Sequence, residues 1–263
     1  MSRTVDRLLT AAGVLATSAR IQIAEMRSST IVIVFTFVQP AALLAVTLLP
    51  MDGRTPQRVA GVVFGVLLTA FWTATVWGAA SVLRRDRAMG TLARSMTGVV
   101  DARLVVVGKG LGSSLVTVVL VGVTIALVLL VMRQPVALAH PVWLVVGMLT
   151  VLASGAAVGL LVGSIFVLTR YGPQVSSVLM YPVFLLGGML IPPEVLPAAV
   201  RWVSYGISMR WLQQFLVGAA AGHVSLPALG AAIALTVAYA VAGAAMFSRF
   251  VARARRDATL DVF

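Results

Sequence analysis

The stretch Leu104–Met132, LVVVGKGLGSSLVTVVLVGVTIALVLLVM, carries a single charged side chain, Lys109, close to its start. A helix needs about 20 apolar residues to cross the hydrocarbon core of a bilayer. This run is longer than that, so it predicts a transmembrane helix. Five further runs on either side of it qualify: Thr30–Pro50, Val59–Leu83, Val142–Thr169, Pro173–Ile191 and Ala228–Phe250. Polar breaks separate them at Asp52-Gly53-Arg54, Arg84–Arg103, Arg133-Gln134-Pro135 and Arg170-Tyr171-Gly172-Pro173. In the last break the glycine stops one helix and the proline can start the next. The expectation is an all-α membrane protein with six transmembrane helices over residues 30–250, in one domain spanning 1–263.

Composition points the same way. Of the 263 residues 60% are hydrophobic and 11% charged, against about 25% charged in a typical globular domain. The absence of cysteine excludes disulfides, thiolate metal sites and cysteine nucleophiles. The net charge of +12 reads as arginines that flank spans and meet anionic lipid. Nucleic acid is not an expected partner, because no folded basic surface with base-stacking aromatics is left over.

Basic residues set the orientation. With the N-terminus inside, fifteen of the 20 lie on the inner side and five on the outer: Arg54, Arg58, Arg133, Arg201 and Arg210. Both termini, including the tail 251–263, are then cytoplasmic at the plasma membrane. Leu8–Ala16 could pass for the core of a signal peptide. Cleavage there would invert every later span and face the fifteen basic residues outward, so that reading is rejected. Val5, Leu8, Leu9, Ala12, Leu15, Ala16, Ala19, Ile23 and Met26 recur at helical spacing, with Arg7, Thr10, Arg20 and Glu25 off the stripe. Residues 1–28 are expected to form an amphipathic helix in the inner interface.

The expected spans are chemically quiet. None carries a carboxylate, Lys109 can snorkel to the inner surface, and His140 and His223 fall near the outer one. A coupling ion would need an ionisable site at depth. A metalloenzyme or intramembrane protease would need a His/Asp/Glu cluster, and none can be assembled. No metal site, catalytic residue or Walker-type phosphate loop is present. Any transport would draw its energy from a partner.

Two segments interrupt the simple pattern. The inner loop RRDRAMGTLARSMTGVVDARLVVVGK, from Arg84 to Lys109, places Leu92, Met96 and Val99 on one helical face with Asp86, Arg87 and Arg94 as charge. Gly90 permits close approach of another backbone. A short cytosolic helix of this kind suits docking on a soluble partner; a positive-inside anchor is the plainer alternative. The second segment, Leu186–Gly222, has Gly187-Gly188 and Pro192, Pro193 and Pro197, then an amphipathic stretch from Val200 to Leu216. It predicts chain that dips into the membrane from outside and returns, which is tolerated only where protein or a cavity satisfies the backbone. An interfacial helix with tryptophans at headgroup level is the alternative.

These two segments resemble the signatures of type-2 ATP-binding-cassette export permeases. Those proteins carry an inner loop of the form E-x-E-x-G-T-x-E, then Pro, then Gly-Lys. Asp86, Gly90, Thr91, Gly108 and Lys109 match it, while Ala88, Ala93 and Val99 depart. The outer signature is Gly-Gly, Pro, Leu-Pro, Ser. Gly187, Gly188, Pro192, Leu196, Pro197 and Ser204 match, and Ser208 stands where a proline is common. The amphipathic N-terminal helix, Gln39-Pro40 and the basic tail fit as well, and the chain is most similar to the drug-export type related to daunorubicin-resistance permeases.

The resemblance implies a transmembrane subunit without catalytic residues. It would work with two copies of a cytosolic ATP-binding-cassette ATPase, which carries the ATP and Mg, and with a second permease chain, identical or homologous. Asp86, Arg87, Gly90, Thr91 and Arg94 would form the coupling helix seated on the ATPase. The substrate path would run at the interface between permeases, past Phe35, Phe37, Gln39, Phe71, Trp72, Tyr181 and Phe184. Few polar groups line that path, so a hydrophobic or amphipathic cargo, a drug or natural product, is expected. Export of a lipid or cell-envelope precursor, and a non-transporting scaffold or sensor, are the alternatives.

Overall fold

The computed structural model describes residues 2–27, 30–88, 102–168, 172–189 and 196–256. The regular structure among them is helical: α1 (Ser2–Arg27), α2 (Thr30–Leu48), α3 (Pro56–Ala88), α4 (Ala102–Val131), α5 (Pro141–Leu168), α6 (Gly172–Leu186), α7 (Ala198–Ser204), α8 (Ser208–Ala221) and α9 (Leu226–Arg256). Four of these helices contain stretches long and apolar enough to cross a membrane: Pro56–Val76, Val107–Val131, Pro141–Ile165 and Leu226–Arg249. They correspond to the second, third, fourth and sixth expected runs.

The other two runs give shorter helices. α2 has 19 residues and is apolar nearly throughout, over Ile31–Phe35 as well as Thr36–Leu48. α6 has 15 residues, about 22 Å at 1.5 Å per residue. Its run is expected to continue to Ile191, but the helix ends at Leu186. Gly187 N–H still donates back to Val183 O at 2.7 Å, and Gly188 then takes φ +70°, a left-handed turn that ends the helix.

α3 is the hub. It packs against α2, α4, α5, α6 and α8, and its Phe64, Leu68, Phe71 and Val76 are buried. Its start is set locally. Pro56 occupies the first helical position, where a missing N–H costs nothing, and the Arg58 N–H donates to Thr55 Oγ1 at 3.4 Å.

Glycine governs the closest helix contacts. A Cβ at Gly243 of α9 would stand 2.9 Å from the Leu161 backbone N of α5. One at Gly108 of α4 would stand 2.8 Å from Leu15 O of α1, and one at Gly112 would stand 2.5 Å from Ala19 O. Gly108 and Gly112 form the small-xxx-small spacing by which helices approach backbone to backbone. Hydroxyls inside the helices bond mostly within their own helix. Thr69, Thr75, Thr117, Thr124 and Ser164 each donate to the carbonyl four residues back, at 2.7–3.0 Å. This satisfies a polar group where no water can.

Only part of the apolar stripe expected for α1 packs on protein, and the side chains of Val5, Leu8 and Leu9 lie outside the described set. Leu15, Ala19, Ile23 and Met26 do lie wholly or partly buried. The deepest positions, however, include Ser18 and Gln22, while Ala12 and Ala16 are exposed and Ile21 is half-exposed. Small Ser18 fits against Gly108, and size outranks polarity in that contact. The large apolar side chains Leu115, Val119, Val123, Leu127 and Leu130 run along the exposed side of α4. Such a stripe calls for an apolar surrounding.

Candidate functional site

The segment after α6 builds a corner whose parts hold each other. Pro197 caps α7, and the seven-residue helix ends at Ser204. The turn Tyr205–Ile207 follows, closed by Gly206 N–H to Val203 O at 3.1 Å and Ile207 N–H to Ser204 O at 3.1 Å. Arg210, in the first turn of α8, reaches back over the turn. Its guanidinium carbon lies 3.9 Å from the Tyr205 ring centroid and 5.6 Å from that of Trp211. Its Nη1 donates to Ser204 Oγ and, at 3.3 Å, to Arg201 O. Ser204 Oγ donates in turn to Arg201 O at 2.6 Å, and Trp211 Nε1 donates to Tyr205 O at 3.0 Å. Arg201 Nη2 donates to Leu196 O at 3.0 Å. The family-like Ser204 is therefore the acceptor on which Arg210 rests.

α8 then runs antiparallel to α5 in a fixed register. Ser208 Oγ is 2.8 Å from Ser154 Oγ. Leu216 and Phe215 lie over Gly147, where a Cβ would stand 2.6 Å and 3.0 Å from their atoms. Ala139 N–H donates to Ala220 O at 3.1 Å, just before α5 begins at Pro141. From Ser208 to Phe215, seven residues along α8, the contacts step seven residues back along α5, from Ser154 to Gly147. Met209, Leu212, Phe215, Leu216, Ala219 and Ala220 are buried among α3, α5 and α9. Gln213 Nε2 donates to Gly61 O of α3 at 3.1 Å, and the Phe215 ring meets Trp143 edge-on at 6.3 Å. α8 closes at Gly222 with φ +96°.

The register fixes the depth of the corner. Ser154 is about thirteen residues past the start of α5, on the order of 20 Å along it. Tyr239 is the same distance past the start of α9, and its hydroxyl donates to Gly206 O in the turn. Ser154 and Tyr239 also lie near the centres of the candidate spans Pro141–Ile165 and Leu226–Arg249. The Tyr205–Ile207 turn, with Arg210, thus stands level with the middle of two spans. The sequence reading assigns Arg201 and Arg210 to the outer side, in a segment expected to dip into the membrane; the contacts of α8 set Arg210 level with the middle of α5. Sequence offers one clue, two arginines within a stretch rich in aromatic and aliphatic residues.

The other expected site residues fall as follows. Gly187 and Gly188 form the turn after α6, and a Cβ at Gly65 of α3 would overlap Met189 O just beyond it. Pro197 caps α7, and Pro192 lies outside the described residues. Asp86 and Arg87 are in the last turns of α3, with side chains outside the described set; Gly90, Thr91 and Arg94 lie outside the described residues. Of the expected path residues, Phe71 is fully enclosed against Gly155, and Trp72 and Phe184 are buried. The Trp72 indole N–H has no hydrogen-bond partner among the described residues. Tyr181 is 68% exposed and meets Phe184 edge-on at 6.4 Å. Phe37 and Gln39 are half-buried on α2, and the Phe35 side chain lies outside the described set. The structure brings Tyr181 to Phe184. No group of His, Cys, Asp and Glu that could hold a metal occurs among the described residues.

Long apolar helices around a short helix that starts at mid-span define a multi-pass helical membrane protein. Its class is that of membrane components of transporters. The chain belongs to the ABC-2 type transporter family, whose match covers residues 13–221, from within α1 to the end of α8. Comparison with curated proteins finds no match.

Proposed function

We propose that this chain is the transmembrane subunit of an ATP-driven exporter that moves hydrophobic or amphipathic compounds, of the drug or natural-product kind, out across the plasma membrane. In this reading α2 and α6 complete a six-span bundle, α1 lies in the inner interface, and both termini are cytoplasmic. α7 and α8 are the re-entrant elements. The segment with Asp86, Arg87, Gly90, Thr91 and Arg94 docks on a cytosolic ATP-binding-cassette ATPase, present in two copies and holding ATP and Mg. A second permease chain completes the path.

The observation that carries this reading is the placement of α8 within a family match that covers most of the chain. Backbone that turns at mid-span is tolerated where it is buried in protein or lines a cavity, and transporters use it in this way. Exposed Tyr181 and half-buried Phe37 and Gln39 are the path residues available to a passing molecule; Phe71, Trp72 and Phe184 would be reached only as helices part. The apolar character of these residues favours an apolar or amphipathic cargo over a long hydrophilic one.

Affinity purification in mild detergent, with every co-eluting chain identified, tests the assembly. An ATP-binding-cassette ATPase is the expected companion, and its absence would refute the reading. In the intact complex Gly90→Arg should abolish cargo-stimulated ATP hydrolysis while leaving membrane insertion unchanged. Normal stimulation in that variant would remove the docking role.

A further inference from the structure

Arg210 is a cation at the level where a cation is least expected. Arginine at the centre of a bilayer is costly, so such residues mark pathways or binding sites rather than lipid contacts. Its partners are Ser204 Oγ, Arg201 O and the faces of Tyr205 and Trp211. None of these is an anion, and Arg210 has no ion pair among the described residues. Among the described residues only Nη1 donates, which leaves Nε and Nη2 of a planar fork that fits a carboxylate or phosphate.

The surroundings complete a site. Tyr205 is 47% exposed and Trp202 69% exposed, on the same corner. Tyrosine and tryptophan favour the water interface over the hydrocarbon centre. Tyr205 lies against the Arg210 guanidinium and Trp202 stands three residues before it on α7, so two exposed rings at mid-span are left with a surface that lipid tails alone suit poorly. The rings offer an apolar platform, and the guanidinium offers charge.

We propose that Arg210 binds the single anionic group, carboxylate or phosphate, of an amphipathic molecule whose apolar body lies on Tyr205 and Trp202. This deepens the exporter reading and rests on it in one respect: that the amphiphile is cargo. The shared chemistry is an anionic head on an apolar chain, which a free amphiphile or a bilayer phospholipid could supply.

The test is quenching of tryptophan fluorescence in the full-length chain in phosphatidylcholine nanodiscs, using 9,10-dibromostearate and its methyl ester. At about pH 9 the acid is ionised even where the bilayer raises its pKa. The wild type should bind the acid on the order of tenfold more tightly than the ester, the scale of one charge-assisted hydrogen bond. Arg210→Gln should erase that preference, and Arg210→Lys should retain part of it. Arg210→Met, which still packs on the two rings, replaces the glutamine variant if that one does not fold. A second arm compares brominated phosphatidylglycerol with brominated phosphatidylcholine. An Arg210-dependent preference there assigns the same anion site to a bilayer lipid. Absence of any Arg210-dependent preference in both arms overturns the proposal. Binding to the chain alone needs no ATPase, so a selective site without a co-purifying ATPase would refute the exporter reading and leave the anion site standing.

Discussion

The α1–α4 seam and the α7–α8 corner both set backbone against neighbouring helices, and they are held by different kinds of contact. At the seam, Gly108 and Gly112 stand one turn apart and admit the Leu15–Ala19 backbone of α1. The fit is one of shape: glycine on one helix, Ser18 and Ala19 on the other. Gln22 Oε1, buried there, has no hydrogen-bond partner among the described residues. The corner is held by directional bonds to three separate helices: Ser208 to Ser154 of α5, Gln213 to Gly61 of α3, and Tyr239 of α9 to Gly206. Shape alone fixes how close two helices lie and specifies their displacement along the axis weakly. Directional bonds fix both. The contrast teaches which element can shift: α1 rather than the corner that carries Arg210.

The largest expected effect breaks the seam. A Cβ at Gly112 would meet Ala19 O at 2.5 Å and Ala19 Cα at 2.9 Å, and backbone cannot rotate out of the way. Gly112→Leu should therefore part α1 from α4 at a cost of about 3 kcal/mol or more. Thermal unfolding in detergent would show the loss, and limited proteolysis would show new cuts in α1. A Cβ at Gly110, two residues earlier, would meet nothing within 4 Å among the described residues. Gly110→Ala should instead be neutral or stabilising by up to about 1 kcal/mol, because it removes a helix-interior glycine. Equal losses at the two positions would mean that close approach is not what holds the seam.

At the corner the middle-sized effect belongs to Ser204. Ser204→Ala removes the acceptor for Arg210 Nη1 and the donor to Arg201 O. Bonds to charged groups are worth about 1.5–3 kcal/mol, and a loss in that range is expected in thermal unfolding. Ser204→Thr, which keeps the hydroxyl, should recover most of it. A silent alanine variant would show that the ring contacts and the bond to Arg201 O suffice to hold Arg210.

Much of this architecture was legible in the sequence. Asp52-Gly53-Arg54 marks the break before α3, and Gly187-Gly188, inside the fifth expected run, falls where α6 ends, because glycine acts on the local backbone wherever it stands. The buried face of α1 was not legible, because an apolar stripe indicates burial only where the alternative is water. Beside a membrane the exposed face is apolar too, and Ser18 is buried by its size. The same reasoning misses the enclosure of Phe71 against Gly155: an aromatic in a span is equally at home in lipid, in a path or in the core. The depth of Arg210 depends on the pairing of α8 with α5, about fifty residues apart in sequence, and no local pattern encodes that register.

The smallest expected effect tests the register itself. Ser154 and Ser208 share one hydrogen bond at 2.8 Å, and both are buried. Either hydroxyl, once orphaned, can turn to the carbonyl four residues back in its own helix, as Thr150 does to Val146 O at 2.9 Å. Single alanine variants should therefore be mild. A double-mutant cycle isolates the shared bond, and interhelical bonds in membranes average about 0.6 kcal/mol by that method, with a maximum near 1.7. A coupling within that range supports the pairing that sets the corner at mid-span. Strict additivity of Ser154→Ala and Ser208→Ala would dissolve the pairing, and with it the polar bond that sets α8 beside the middle of α5. Tyr239 and Gly206 would then be the remaining polar measure of depth, and Tyr239→Phe would have to carry the loss that the serine pair did not.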